Sequence, residues 1–176
     1  MKISSSFDGG NIICLDCSSP DNIALEIKKD NNSDFFQWFF FRLSEGKDQT
    51  CNIKILNAGS ASYPKGWENY RVVASYDRYD WFRIPTNFDG NILNFLHRPE
   101  RDSVYYAYFP PYSIEMHHNL ISKCLNSAVA SLDVLGTTLD NRDIDLLRIG
   151  TSTKQDKLNL WAIARQHPGE TMSEWW

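Results

Sequence analysis

The sequence predicts an α+β protein. An antiparallel β-sandwich occupies residues 1–112, and the first part of an α/β region follows over residues 113–176. Three observations carry this expectation. Short runs rich in β-branched and aromatic residues recur as far as Tyr112, separated by turn chemistry. Helical periodicity is almost missing there and begins abruptly after "FPPYS". Aromatic side chains make up 14% of the 176 residues, enough to fill the space between two sheets.

The strand-like runs come in order. "NIALEIKK" and "QWFFFRLS" carry the β-forming residues, and "CNIKILN" alternates Ile53 and Ile55 with polar neighbours. "WFFF" at 38–41 reads as sandwich core and domain interface. "NFDGNILNF" holds Asp89-Gly90 between two such runs, the signature of a two-residue hairpin with φ > 0 at both turn positions. Further turns are marked by Asp8-Gly9-Gly10, Ser19-Pro20-Asp21 and Asn57-Ala58-Gly59.

Pro110 and Pro111 end the last strand, because neither supplies a ladder N–H. Ser113 then stands as N-cap of a helix with Glu115 in its first turn. Met116, Leu120, Ile121, Cys124, Leu125, Ala128, Val129 and Leu132 recur at three- and four-residue spacing, and Gly136 is the expected C′ residue. "IDLLRIG" and "LNLWAIARQ" follow as strands around the polar loop "TSTKQDK". The second is expected to be a central strand buried on both faces.

Composition bounds the function. The chain is 42% hydrophobic and 23% charged, a globular balance. Its 18 basic residues are scattered among 22 acidic ones, for a net charge of -4, which argues against nucleic acid as a partner. No apolar run approaches the roughly 18 residues of a membrane span, and "MKISSSFDGGN" has no apolar h-region. With four Cys and no secretory signal, reduced thiols in the cytoplasm are expected.

The chemistry concentrates in "LNLWAIARQHPGETMSEWW", residues 158–176. Zinc accepts imidazole nitrogen and carboxylate oxygen at about 2.0–2.2 Å. In "HPGE", Pro168 stops the strand and Gly169 permits a turn that a Cβ would obstruct, so His167 and Glu170 can point at one spot. "TMSEWW" could begin a helix behind them. Arg165 suits either a rim position that attracts acidic substrates or a structural ion pair.

This segment resembles the first metal-binding segment of the zinc metallocarboxypeptidases, in the cytosolic carboxypeptidase-like branch. "QWFFFRL", "YYAYFPPYS" and "LGTTLDNRDIDLLRIG" extend the resemblance over most of the chain. It implies that residues 113–176 begin a mixed-sheet α/β/α carboxypeptidase domain, and that His167 and Glu170 are the first two zinc ligands. The third ligand, the general-base Glu and the groups that grip a substrate carboxylate would lie beyond Trp176. The resemblance further implies hydrolysis of C-terminal peptide bonds, with glutamate trimming known in the branch. The substrate would be a peptide or protein tail, and residues 113–176 would be stable only against the rest of the domain or a second copy of the chain. The rival reading is a non-catalytic β-sandwich binding module with a truncated α/β tail.

Other candidates are set aside. Cys14 and Cys17 have C-x-x-C spacing, but in a strand they would face opposite sides. Adjacent His117 and His118 project about 100° apart on a helix, so solvated or hydrogen-bonded rings are expected. His97 is assigned no role. "RPERD" at 98–102 reads as a solvated loop.

Overall fold

The computed structural model describes residues 1–150, 160–167 and 169–176. Two compact units emerge: Met1–Pro111 together with Arg165–Trp176, and Tyr112–Ala164.

The first unit is built on two five-stranded sheets. One contains β1 (Lys2–Ser4), β4 (Phe40–Ser44), β10 (Ser103–Ala107), β6 (Val73–Ser75) and β7 (Phe82–Arg83), in that spatial order. The other runs β2 (Ile13–Asp16), β3 (Ile23–Glu26), β5 (Cys51–Ile55), β9 (Leu93–His97), β8 (Thr86–Phe88). All pairings in them are antiparallel except β3 with β5, which run parallel with Ile23 opposite Ile53. The expected all-antiparallel sandwich thus contains one crossover. It arises because β4, lying between β3 and β5 in sequence, joins the other sheet.

Period-two alternation explains the shared core. Phe41, Leu43, Val104 and Tyr106 from one sheet join Ile23, Leu25, Ile53, Ile55, Leu93 and Phe95 from the other in a single cluster, each essentially inaccessible to solvent. Phe40 points the opposite way from Phe39 and Phe41 and is also buried, among Phe7, Trp38, Trp81 and Tyr105. This aromatic layer on the outer face is why "WFFF" shows no polar alternation. Toward the end of the chain's first pass, Phe39, Trp67, Tyr70, Tyr108 and Phe109 form an aromatic box with ring centroids 4.5–6.3 Å apart, close to Pro110 in sequence.

The hairpin at Asp89-Gly90 forms, but its loop has four residues, since Phe88 pairs with Leu93. Only Gly90 takes a positive φ (97°). The Asp89 carboxylate accepts from the backbone N–H groups of Asn91 (2.8 Å) and Ile92 (2.7 Å), closing an Asx turn in place of the two-residue type.

In the second unit, α1 spans Ile114–Leu125, with the Ser113 hydroxyl accepting from the Met116 N–H at 3.2 Å as expected of an N-cap. The helix is shorter than its apolar spacing suggested. Asn126 and Ser127 divert the backbone into a turn, with the Ser127 N–H donating to Cys124 O at 3.0 Å. Ala130–Thr137 then forms β11, antiparallel to β12 (Asp143–Ile149). Leu132 belongs to this strand. Gly136, expected at the helix end, sits where the β11–β12 register shifts between Val134 and Thr137, a bulge position suited to glycine.

The strand expected over 158–166 is not formed in its described part, Leu160–Gln166. Leu160 and Trp161 are 92% and 89% exposed, and neither pairs with a strand among the described residues. Leu158, Asn159, the loop 151–157 and Pro168 lie outside the described residues.

Candidate metal centre

The segment Arg165–Trp176 is compact because it is tied at several points. The Glu170 N–H donates to His167 O (3.1 Å), closing a turn, and a 3-10 helix follows over Thr171–Trp175 where the beginning of a helix was expected. Arg165 forms an ion pair with Glu174, so the structural alternative weighed for Arg165 is the one observed. Trp175 Nε1 donates to Pro110 O at 2.8 Å, tying the segment to the end of the sandwich. A Cβ at Gly169 would meet no atom within 4 Å, so the close approach expected there is not made.

The turn brings the two candidate ligands together. His167 Nδ1 lies 2.8 Å from Glu170 Oε1, and the His167 backbone N–H donates to Oε2 at 3.3 Å. A carboxylate only accepts, so this contact needs a proton on Nδ1. These two hydrogen bonds, the ring contact foremost, hold the Glu170 carboxyl below its usual range. The donor set fits a borderline metal ion: an imidazole nitrogen and an ionised carboxylate oxygen face one another, sharing a proton that a metal would displace. Both side chains are accessible, His167 at 79% and Glu170 at 42%. Next to them, Thr171 Oγ1 is buried without a hydrogen-bond partner among the described residues.

Elsewhere the candidates settle into local structure. His97 Nδ1 lies 2.8 Å from the Tyr106 hydroxyl inside the sandwich. The β2–β3 pairing slips between Cys14 and Asp16; Cys14 is exposed, whereas Cys17 packs against the core with its Sγ 3.5 Å from Met1 O. Burial first, and then Cys17, push the Cys14 thiol up to about 11. His117 is hydrogen-bonded, its Nε2 lying 2.7 Å from Asp145 Oδ2. With His118 these residues make the one group of three potential ligands found among the described residues. Sequence spacing gave no sign of it, because Asp145 lies 28 positions away on β12.

Two sheets around a common core, followed by a turn that pairs a His with a Glu, define a β-sandwich leading into a segment that sets an imidazole beside a carboxylate. Residues 3–109 match the family described as cytosolic carboxypeptidase N-terminal domain. The chain belongs to that family. It is 42% identical over its full length to an uncharacterized protein of Zymomonas mobilis, of which it covers 45%. The metallo-carboxypeptidase of Burkholderia cenocepacia superposes with a TM-score of 0.94 at 47% identity, over 99% of this chain and 46% of that one. The metallo-carboxypeptidase of Pseudomonas aeruginosa in complex with (2-guanidinoethylmercapto)succinic acid gives a TM-score of 0.92 at 41% identity, over 99% and 47%. The chain therefore spans a little under half the length of the relatives it matches.

Proposed function

We propose that this chain is the sandwich domain and the beginning, at residue 113, of the catalytic domain of a zinc metallocarboxypeptidase that hydrolyses C-terminal peptide bonds in the cytoplasm. His167 and Glu170 are its first two zinc ligands. The observation that carries this reading is the 2.8 Å convergence of His167 Nδ1 and Glu170 Oε1 in a chain alignable over nearly all its length to metallo-carboxypeptidases. When bound, zinc would supply Lewis-acid polarisation of the scissile carbonyl and lower the pKa of a water.

The chain's own groups have narrower tasks. Glu170, kept ionised by the His167 contacts, offers negative charge, and His167 offers an Nδ1 lone pair once the ring proton is off that nitrogen. The Trp175–Pro110 hydrogen bond and the Arg165–Glu174 pair hold the turn so that both donors face one point. Two protein ligands leave a tetrahedral ion open to exchange, so a third ligand and the general base belong to polypeptide outside these 176 residues. The substrate is a peptide or protein C-terminal tail. The molecule bound to the Pseudomonas relative carries, by its name, two carboxylic acids and a cationic guanidino group, so the preference for C-terminal glutamate rests on the family resemblance and not on that complex.

Metal analysis after dialysis tests the ligand assignment. The isolated chain should hold zinc weakly at His167 and Glu170, His167→Ala should remove the share of zinc held there, and the chain alone should release no C-terminal residues from peptides. The same chain extended to the length of its relatives should cleave peptides with a zinc dependence that His167→Ala abolishes. A cleaving extended protein indifferent to His167→Ala would refute the ligand assignment. A folded extended protein that binds peptide without cleaving it would instead favour a binding module.

A further inference from the structure

We propose that His117, His118 and Asp145 form a second transition-metal site, which ties α1 to β12 within the unit Tyr112–Ala164. Their ligand atoms all lie within 4.8 Å of one another. Donors on one tetrahedral zinc are about 3.3 Å apart, given bonds of about 2.0–2.1 Å. The remaining gap closes by side-chain rotation, for which the His117 ring, 37% exposed, has room. Asp145 is the fixed member. Its side chain is only 10% exposed, and His117 Nε2 at 2.7 Å is its one hydrogen-bond partner among the described residues. A carboxylate has about four acceptor positions, and a desolvated one needs compensating positive charge. A metal ion supplies both.

Adjacent helical residues diverge, which argues against a common ligand point. Here the two rings nonetheless meet edge to face with centroids 5.6 Å apart, so both reach the same side of α1. They open into a concavity of about 470 Å³, where Asp143 adds negative charge and Arg142 opposes it. Two imidazoles with one carboxylate suit Zn²⁺, Co²⁺ or Ni²⁺ better than Mg²⁺ or Ca²⁺, which favour all-oxygen shells. The tie also answers a weakness in the unit: no residue of α1 is buried, so apolar packing alone secures the helix poorly. A metal bridging α1 and β12 converts binding free energy into local stability.

The test uses the 176-residue chain carrying His167→Ala and Glu170→Gln, which removes the proposed catalytic pair. Co²⁺ titration followed by visible d–d absorption should show one saturable equivalent in this background. His118→Ala, which deletes an exposed ring, should abolish it, and Asp145→Asn should do the same. Zn²⁺ should raise the Tm of the background protein and leave that of the His118→Ala variant unchanged. Absence of Co²⁺ binding by the folded background protein overturns the proposal. So does binding that survives His118→Ala, because His117 and Asp145 would then be a hydrogen-bonded pair only. Failure of the His167–Glu170 assignment reads out separately, as a wild-type chain that binds no more Co²⁺ than the doubly substituted one.

Discussion

Trp67 offers the most direct test of how the sandwich is held. The residue is 1% exposed, with its ring 5.3 Å from Tyr70, 5.2 Å from Tyr108 and 6.3 Å from Phe39, and its Nε1 donates to Ala58 O at 2.9 Å. Burying about 200 Å² of aromatic surface at about 25 cal/mol per Å² is worth about 5 kcal/mol gross. Trp67→Ala keeps a methyl group and allows partial collapse, so a loss of about 3–5 kcal/mol is expected. Trp67→Phe isolates the polar contribution. The Ala58 carbonyl would not be orphaned, since the Ala61 N–H still donates to it at 3.1 Å, so the hydrogen-bond loss stays near the low end, about 1 kcal/mol. With a smaller ring leaving a small void, the total for Phe is about 2–3 kcal/mol. Urea unfolding followed by far-UV circular dichroism, with m held constant between variants, reads both numbers. A Phe variant as unstable as the Ala variant would refute the reasoning, because it would place the stabilisation in the indole N–H and not in the box.

Three further outcomes follow from groups in the first unit. Burial lowers the His97 pKa below 6.5, against a smaller opposing pull from Glu100. Between the depressed folded value and 6.5 the unfolded chain therefore binds more protons, so stability is fully present above 6.5 and falls as pH drops through that window; His97→Gln should flatten the slope in denaturation series from about pH 5 to 8. With its thiol at about 11 against an ordinary 9.0, Cys14 carries about 100-fold less thiolate at pH 8. Its higher intrinsic nucleophilicity recovers about tenfold of this, so it should react with iodoacetamide about tenfold more slowly than an unperturbed thiol. Cys17→Ala should speed that reaction, and mass spectrometry of the alkylated peptide measures it. Trp175→Phe removes the bond to Pro110, worth about 1 kcal/mol, and should raise hydrogen exchange in 165–176 and weaken zinc retention about fivefold. Unchanged exchange there would mean the tether does not hold the segment.

The sandwich was legible wherever a feature was local. Turn residues and alternation located β3, β4, β5, β8 and β9, and a single serine marked the start of α1. Features set by distant partners were not. The parallel β3–β5 pairing depends on β4 leaving for the other sheet, which no window of sequence records. The end of α1 was misplaced because Val129 and Leu132 keep helical spacing by coincidence, whereas the β11–β12 ladder decides their conformation. The same divide runs through the chemistry. His167 and Glu170 are three residues apart and could be read together, while Asp145 reaches His117 only through the packing of a strand beside a helix.

The Trp175–Pro110 bond also has a topological meaning. The chain leaves the first unit at Pro111 and rejoins it at Arg165, so Tyr112–Ala164 is an excursion whose return is pinned by a contact across 65 positions. Cleaving the backbone within that excursion would make the return a bimolecular association, and one hydrogen bond of about 1 kcal/mol does not offset the roughly 4–15 kcal/mol that association costs. The covalent path through Tyr112–Ala164 is therefore what keeps the tryptophan clasp closed.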